Sequence, residues 1–113
     1  MKKKFILKKR KEINFIFKLK KNVRNYFFIL YYAKNNNFDH FKFALSINKK
    51  YGKSHERNLI KRRLRMIIYQ NVYLINNKAS FVLFIKPSAK CLNFNDLSKQ
   101  FNNLLKKSFL ITE

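Results

Sequence analysis

The sharpest pattern of apolar and polar positions in this chain runs from Phe41 to Asn48. Phe41, Phe43, Leu45 and Ile47 alternate with Lys42, Ala44, Ser46 and Asn48, the period of a strand with one face on a core and the other small, polar and open. Upstream, Ile13, Ile16 and Phe17 recur at spacings of three and four within Lys9 to Lys20, which predicts a short amphipathic first helix. Tyr26 to Ala33 is a nearly unbroken aromatic and aliphatic run, expected to form a strand covered on both faces. The following KNNNFDH has loop chemistry. Gly52 offers a flexible joint after the alternating strand, and Ser54 an N-cap for a helix over about His55 to Tyr69. Ser80 to Ile85 reads as a further strand, ended by Lys86-Pro87, because proline cannot continue a central ladder. Asn95 or Asp96 can cap a last helix whose apolar face is Leu97, Phe101, Leu104, Leu105 and Phe109. The order is helix, two or three strands, helix, strand, helix, an α/β sandwich.

Charge changes the meaning of the central helix. Four of the chain's six arginines, Arg57, Arg62, Arg63 and Arg65, fall within nine residues, while the rest of the chain relies mainly on lysine. Arginine's planar fork binds phosphate bidentately and stacks on bases, which lysine's point charge does not. At about 100° per residue, Arg57, Asn58, Lys61, Arg62 and Arg65 share an arc of roughly 140°, opposite Ile60, Leu64 and Ile67. Arg63 projects from the apolar side, placed to snorkel along the core edge or to reach a second phosphate. A solvated charged face normally alternates sign, yet only Glu56 lies nearby, so these cations repel one another until a polyanion covers them.

Composition agrees. A chain of 113 residues that is 47% hydrophobic and 17% aromatic can build a core, and one domain spanning 1–113 is expected, with a basic, flexible N-terminus over 1–8. A formal net charge of +22 points to nucleic acid as the partner. The lone Cys91 forms no internal disulfide and suits a reducing cytoplasm. The apolar stretch Phe5 to Leu7 is too short for a signal peptide, and no membrane span is expected. Independent catalysis is not expected either. Glu12, Asp39, Glu56, Asp96 and Glu113 are scattered, His40 and His55 lack partners at metal-ligand spacing, and no base is assigned to Ser46 as a nucleophile.

From Phe43 to Arg65, FALSINKKYGKSHERNLIKRRLR resembles the signature of the bacterial ribonuclease P protein subunit. That family pairs a strand and a Lys-Lys-Gly segment with a helix reading Arg-Asn-Arg-x-x-Lys-Arg-x-x-Arg. The matching positions are Ser46, Lys49, Lys50, Gly52, Arg57, Asn58, Ile60, Lys61, Arg62 and Arg65. LKKRKEINFIFK resembles the family's first helix, FFILYY its first strand and SFVLFIKPSAK its fourth strand with the turn after it. Three positions depart from the pattern: Leu59 replaces the motif's second arginine, Arg63 stands where an aliphatic residue is usual, and Ile13 where an aromatic often occurs.

The resemblance implies an α+β fold of αβββαβα topology, with a mixed four-stranded sheet and a left-handed βαβ crossover, like the second domain of ribosomal protein S5. It implies that Lys53, Arg57, Asn58, Lys61, Arg62 and Arg65 bind the catalytic RNA. It also implies that Ile13, Phe17, Tyr31, Ser46, Asn48 and Lys50 form a cleft for the single-stranded 5′ leader of precursor tRNA. Periodicity alone would assign Phe17 and Tyr31 to the core. Mg²⁺ would be held mainly by the RNA, which would carry out the hydrolysis, with none bound by the protein alone, no catalytic residue in the protein, no membrane and no obligate protein partner. Two other readings fit the charge: a structural ribosomal RNA-binding protein, and a basic helix lying on anionic membrane, disfavoured because Ile60, Leu64 and Ile67 are needed for a core.

Overall fold

The computed structural model describes residues 5–7, 10–34, 40–76 and 78–108. Its elements are α1 (Arg10–Lys18), β1 (Asn22–Arg24), β2 (Phe28–Lys34), β3 (Lys42–Ile47), α2 (Ser54–Gln70), β4 (Ala79–Ile85) and α3 (Phe94–Lys107), with single 3-10 turns at Lys49–Tyr51 and Pro87–Cys91. The four strands form one mixed sheet in the order β1-β2-β4-β3. β2 is antiparallel to β1 and to β4, while β3 runs parallel to β4, with α2 in the connection between them. The α+β class and the αβββαβα order therefore stand.

β4 lies inside the sheet, and its run Ser80-Phe81-Val82-Leu83 is buried on both faces, as an uninterrupted apolar strand requires. On one face Phe28, Leu30, Phe43, Phe81, Leu83 and Ile85 meet Ile60, Leu64, Ile67 and Ile68 of α2 and Leu97, Phe101, Leu104 and Leu105 of α3. An aromatic ladder runs through this core. Phe43 lies 5.8 Å from Phe81, and Phe81 lies 6.1 Å from Phe101, between ring centroids. On the other face α1 buries Ile16 against Ala33, Val82 and Leu7, with Ile13, Tyr31 and Ala44 packed alongside. α1 covers only part of that face, so Ile29, Ser46 and Phe84 stay half-buried.

Several expectations are corrected. The apolar run from Tyr26 is not one strand covered on both faces. The Asn25 side-chain oxygen accepts from the N–H groups of Phe27 and Phe28, both at 2.8 Å, and this turn leaves Tyr26 exposed and starts β2 at Phe28. β1, with Val23 as its one apolar residue, carries too short a pattern to stand out in sequence. α1 ends at Lys18, because Lys20 turns into the left-handed region (φ 55°) with its N–H bonded to the Phe17 carbonyl. Ser54 is the first residue of α2 and not its cap. The reach-back bond at this terminus comes from Glu56, whose Oε1 accepts from the Lys53 N–H at 3.0 Å. α3 is capped by Asn93, whose Oδ1 accepts from the Asp96 N–H at 2.8 Å, so Asn95 and Asp96 lie within the helix. Phe109 and residues 1–4 and 8 lie outside the described residues. Within the N-terminal stretch, Phe5–Leu7 rest on the outer edge of β3. The Leu7 N–H donates to the Phe43 carbonyl at 2.8 Å, and Phe5 stacks on Phe41 at 4.7 Å.

Candidate nucleic-acid interface

α2 is amphipathic because its apolar residues recur every three or four positions, and burying Ile60, Leu64, Ile67 and Ile68 forces the intervening cations outward. Asn58, Arg62 and Arg65 are exposed, as is Lys53 just before the helix, while Arg57 and Lys61 flank the core and are half-buried. The structure thus brings the six predicted RNA-binding positions to one helix and its N-terminal approach. Arg57 is also tied locally. Its Nη2 donates to Ser54 Oγ at 3.1 Å, and its buried Nε finds no acceptor among the described residues.

The one acid near this face does not neutralise it. Glu56 points to the side, where it accepts from Lys90 Nζ at 2.7 Å and from the Lys53 backbone. These bonds, Lys90's foremost, hold its carboxyl below the ordinary value of 4.5. Gly52 makes room for the arrangement, since a Cβ there would stand 2.8 Å from Glu56 Oε1 and 3.2 Å from Lys90 Nζ. Arg63 runs along the same flank, half-buried beside Tyr51. Burial raises the Tyr51 phenol, Glu56 adds to that, and Arg63 opposes it. Arg63 is therefore the snorkelling arginine at the core edge, set apart from the outward group.

The second set of positions lies across the sheet. Strand register puts Tyr31, Val82 and Ala44 on one rung of the α1-covered face, and Ile29, Phe84 and Ser46 on the next. Ile13 packs beside Tyr31 and Ala44, and the Phe17 ring meets Tyr31 edge-on at 4.9 Å. Phe17 is 36% exposed, so it is a wall of the face and not part of the core. Ser46 lies one rung further along the open part. Asn48 and Lys50 follow at the strand end, exposed, with Asn48 Oδ1 accepting from the Lys50 N–H at 2.9 Å and so fixing the turn toward α2. Ile13, Phe17 and Tyr31 form one cluster, while Ser46, Asn48 and Lys50 line the way out of it. Aromatics beside a small polar strand and a terminal lysine suit an unpaired, flexible polyanion.

Two of the acids among the described residues are engaged by lysines, Glu12 at 4.0 Å from Lys42 and Glu56 by Lys90, and among these residues no three His, Cys, Asp or Glu side chains gather. No helix among the described residues is long and apolar enough to cross a membrane.

Known proteins resemble this chain throughout. The family model for ribonuclease P matches residues 1–108. A ribonuclease P protein component from Onion yellows phytoplasma is 52% identical over 98% of this chain and 79% of its own length. One from Phytoplasma australiense is 51% identical over 98% and 96%. Among solved structures, the Staphylococcus aureus RNase P protein superposes with a TM-score of 0.88 at 25% identity, covering 96% of this chain and 98% of that one. The Thermotoga maritima RNase P protein superposes with 0.81 at 27% identity, covering 89% and 94%. With the family's pattern, its sheet order and near full-length identity in agreement, this chain belongs to the ribonuclease P protein-component family.

Proposed function

We propose that the chain binds the catalytic RNA of ribonuclease P through α2 and the 5′ leader of precursor tRNA through the face beside α1, supporting removal of that leader. The observation that carries the reading is the exposed Asn58, Arg62 and Arg65 group on a helix whose one nearby acid is turned aside to Lys90. Cations left without counter-charge on a rigid helix are stabilised by a phosphate backbone, and arginine forks fix its position. The leader reading rests on Phe17 and Tyr31 standing edge to face beside the open rung of Ser46. Such aromatics stack on any base, so leaders of differing sequence are accepted.

The chemistry falls to the RNA and its Mg²⁺, because the protein's described acids are separate and paired with lysines or at a helix start. The protein lowers repulsion between two RNAs and holds the precursor beside the cleavage site. Its place is the cytoplasm, where precursor tRNA is made. α2 and the α1-covered face lie on opposite sides of the sheet, joined by the corner carrying Lys49, Lys50 and Lys53. One protein can therefore touch catalyst and substrate together.

Affinity capture with the tagged full chain tests the assignment. Enrichment of ribonuclease P RNA is expected. Recovery of ribosomal subunits instead would assign the chain to structural ribosomal RNA binding.

A further inference from the structure

The outer surface of α2 changes character along its length. Up to Arg65 it presents Asn58, Arg62 and Arg65, while its C-terminal end and the turn after it present Met66, Tyr69 and Tyr73, which are 52%, 47% and 94% exposed. The core does not require these three, since Ile60, Leu64, Ile67 and Ile68 already fill the sheet side of the helix. At about 100° per residue, Leu59, Met66, Arg62 and Tyr69 fall within an arc of about 80°. Arg62 thus sits inside the apolar stripe, and Tyr69 lies one turn beyond Arg65, about 6 Å along the axis. No acidic residue occurs between Glu56 and Asp96.

We propose that Tyr69 and Tyr73, with Met66 beside them, form a stacking platform for unpaired bases of the same catalytic RNA whose phosphates Arg62 and Arg65 hold. This rests on the reading of α2 as the RNA-docking helix. A tyrosine exposes a flat π face that stacks on any base, and an arginine one turn away supplies the phosphate contact of the same nucleotide stretch. A second copy of this chain fits worse. Two such faces brought together would oppose Arg62 and Arg65 with no acid to separate them. The precursor leader is placed elsewhere, on the far side of the sheet. The platform would also offset the missing arginine at Leu59, with stacking taking over part of what a phosphate contact would supply.

The test compares Tyr69→Ala/Tyr73→Ala with Tyr69→Phe/Tyr73→Phe in binding ribonuclease P RNA across a salt series. The alanine pair should bind more weakly by roughly 30-fold or more with an unchanged salt slope, and the phenylalanine pair like the parent. Arg62→Ala should instead reduce the slope by about one. Parental affinity in the alanine pair would overturn the platform while leaving α2 docking intact. If the parent chain itself failed to bind this RNA, both would fall. An alanine pair that lost only self-association, seen by sedimentation, would give the face to a second copy and overturn the inference. Should the alanine pair not fold, Tyr73→Trp decides, because the chain has no tryptophan of its own. Its emission should be quenched by the RNA, and an unquenched signal in the bound state would refute stacking.

Discussion

Single residues in α2 divide cleanly between support and contact. Arg62 and Arg65 are exposed and form no hydrogen bond or ion pair among the described residues, so Arg62→Ala/Arg65→Ala should leave thermal unfolding close to that of the parent. RNA affinity should fall by roughly tenfold per arginine, about 1.5 kcal/mol for each charge-assisted contact. Circular dichroism melts alongside filter binding would check both halves. Glu56 does the opposite work, tying the start of α2 to Lys90 and the Lys53 backbone. Its carboxyl is held below 4.5 in the folded chain, so its contribution is present above that pH and fades as acid carries the solution down through the folded value. Glu56→Gln should therefore flatten the acid limb of stability below about pH 4.5. Acid titrations followed by circular dichroism would expose the difference, and parallel curves would refute it.

Among the elements, α1 and the sheet show how far sequence reading reaches. The alternation in β3 separated Phe43, Leu45 and Ile47 on the main core from Ala44 and Ser46. The side of Ala44 and Ser46 is less open than the pattern predicts, because α1 packs over Ala44. The spacing in α2 separated Ile60, Leu64 and Ile67 from the exposed cations. Boundaries were less legible. The Asn25 turn lies inside an apolar run, and the cap of α3 depends on which of several asparagines reaches a backbone N–H, which spacing does not decide. The proposed leader face is hard to read for another reason. Ile13, Phe17 and Tyr31 look like core by period, and only strand register with the edge-on ring contact shows that Phe17 stays partly in solvent. Phe17→Ala is expected to weaken binding of leader-bearing precursor by roughly 5- to 150-fold, while mature tRNA and the catalytic RNA bind as before. Equal losses for precursor and mature tRNA would remove Phe17 from leader recognition.

At the scale of the whole molecule, +22 charges on 113 residues dominate. Burial of the apolar faces holds the fold together against that self-repulsion, and RNA relieves it. If about six phosphates are neutralised, the logarithm of affinity should fall against the logarithm of salt with a slope between about −4 and −5. A complex indifferent to salt would contradict the electrostatic account. The relief of repulsion also bears on magnesium, since RNA alone needs divalent ions to bring two polyanions together, and a polycation lowers that need. The decisive measurement is cleavage of a leader-bearing precursor tRNA by ribonuclease P RNA at low magnesium, with and without the full chain. The chain should restore accurate 5′ processing that the RNA alone does not sustain. Unchanged turnover, with no binding between chain and RNA, would contradict the central claim.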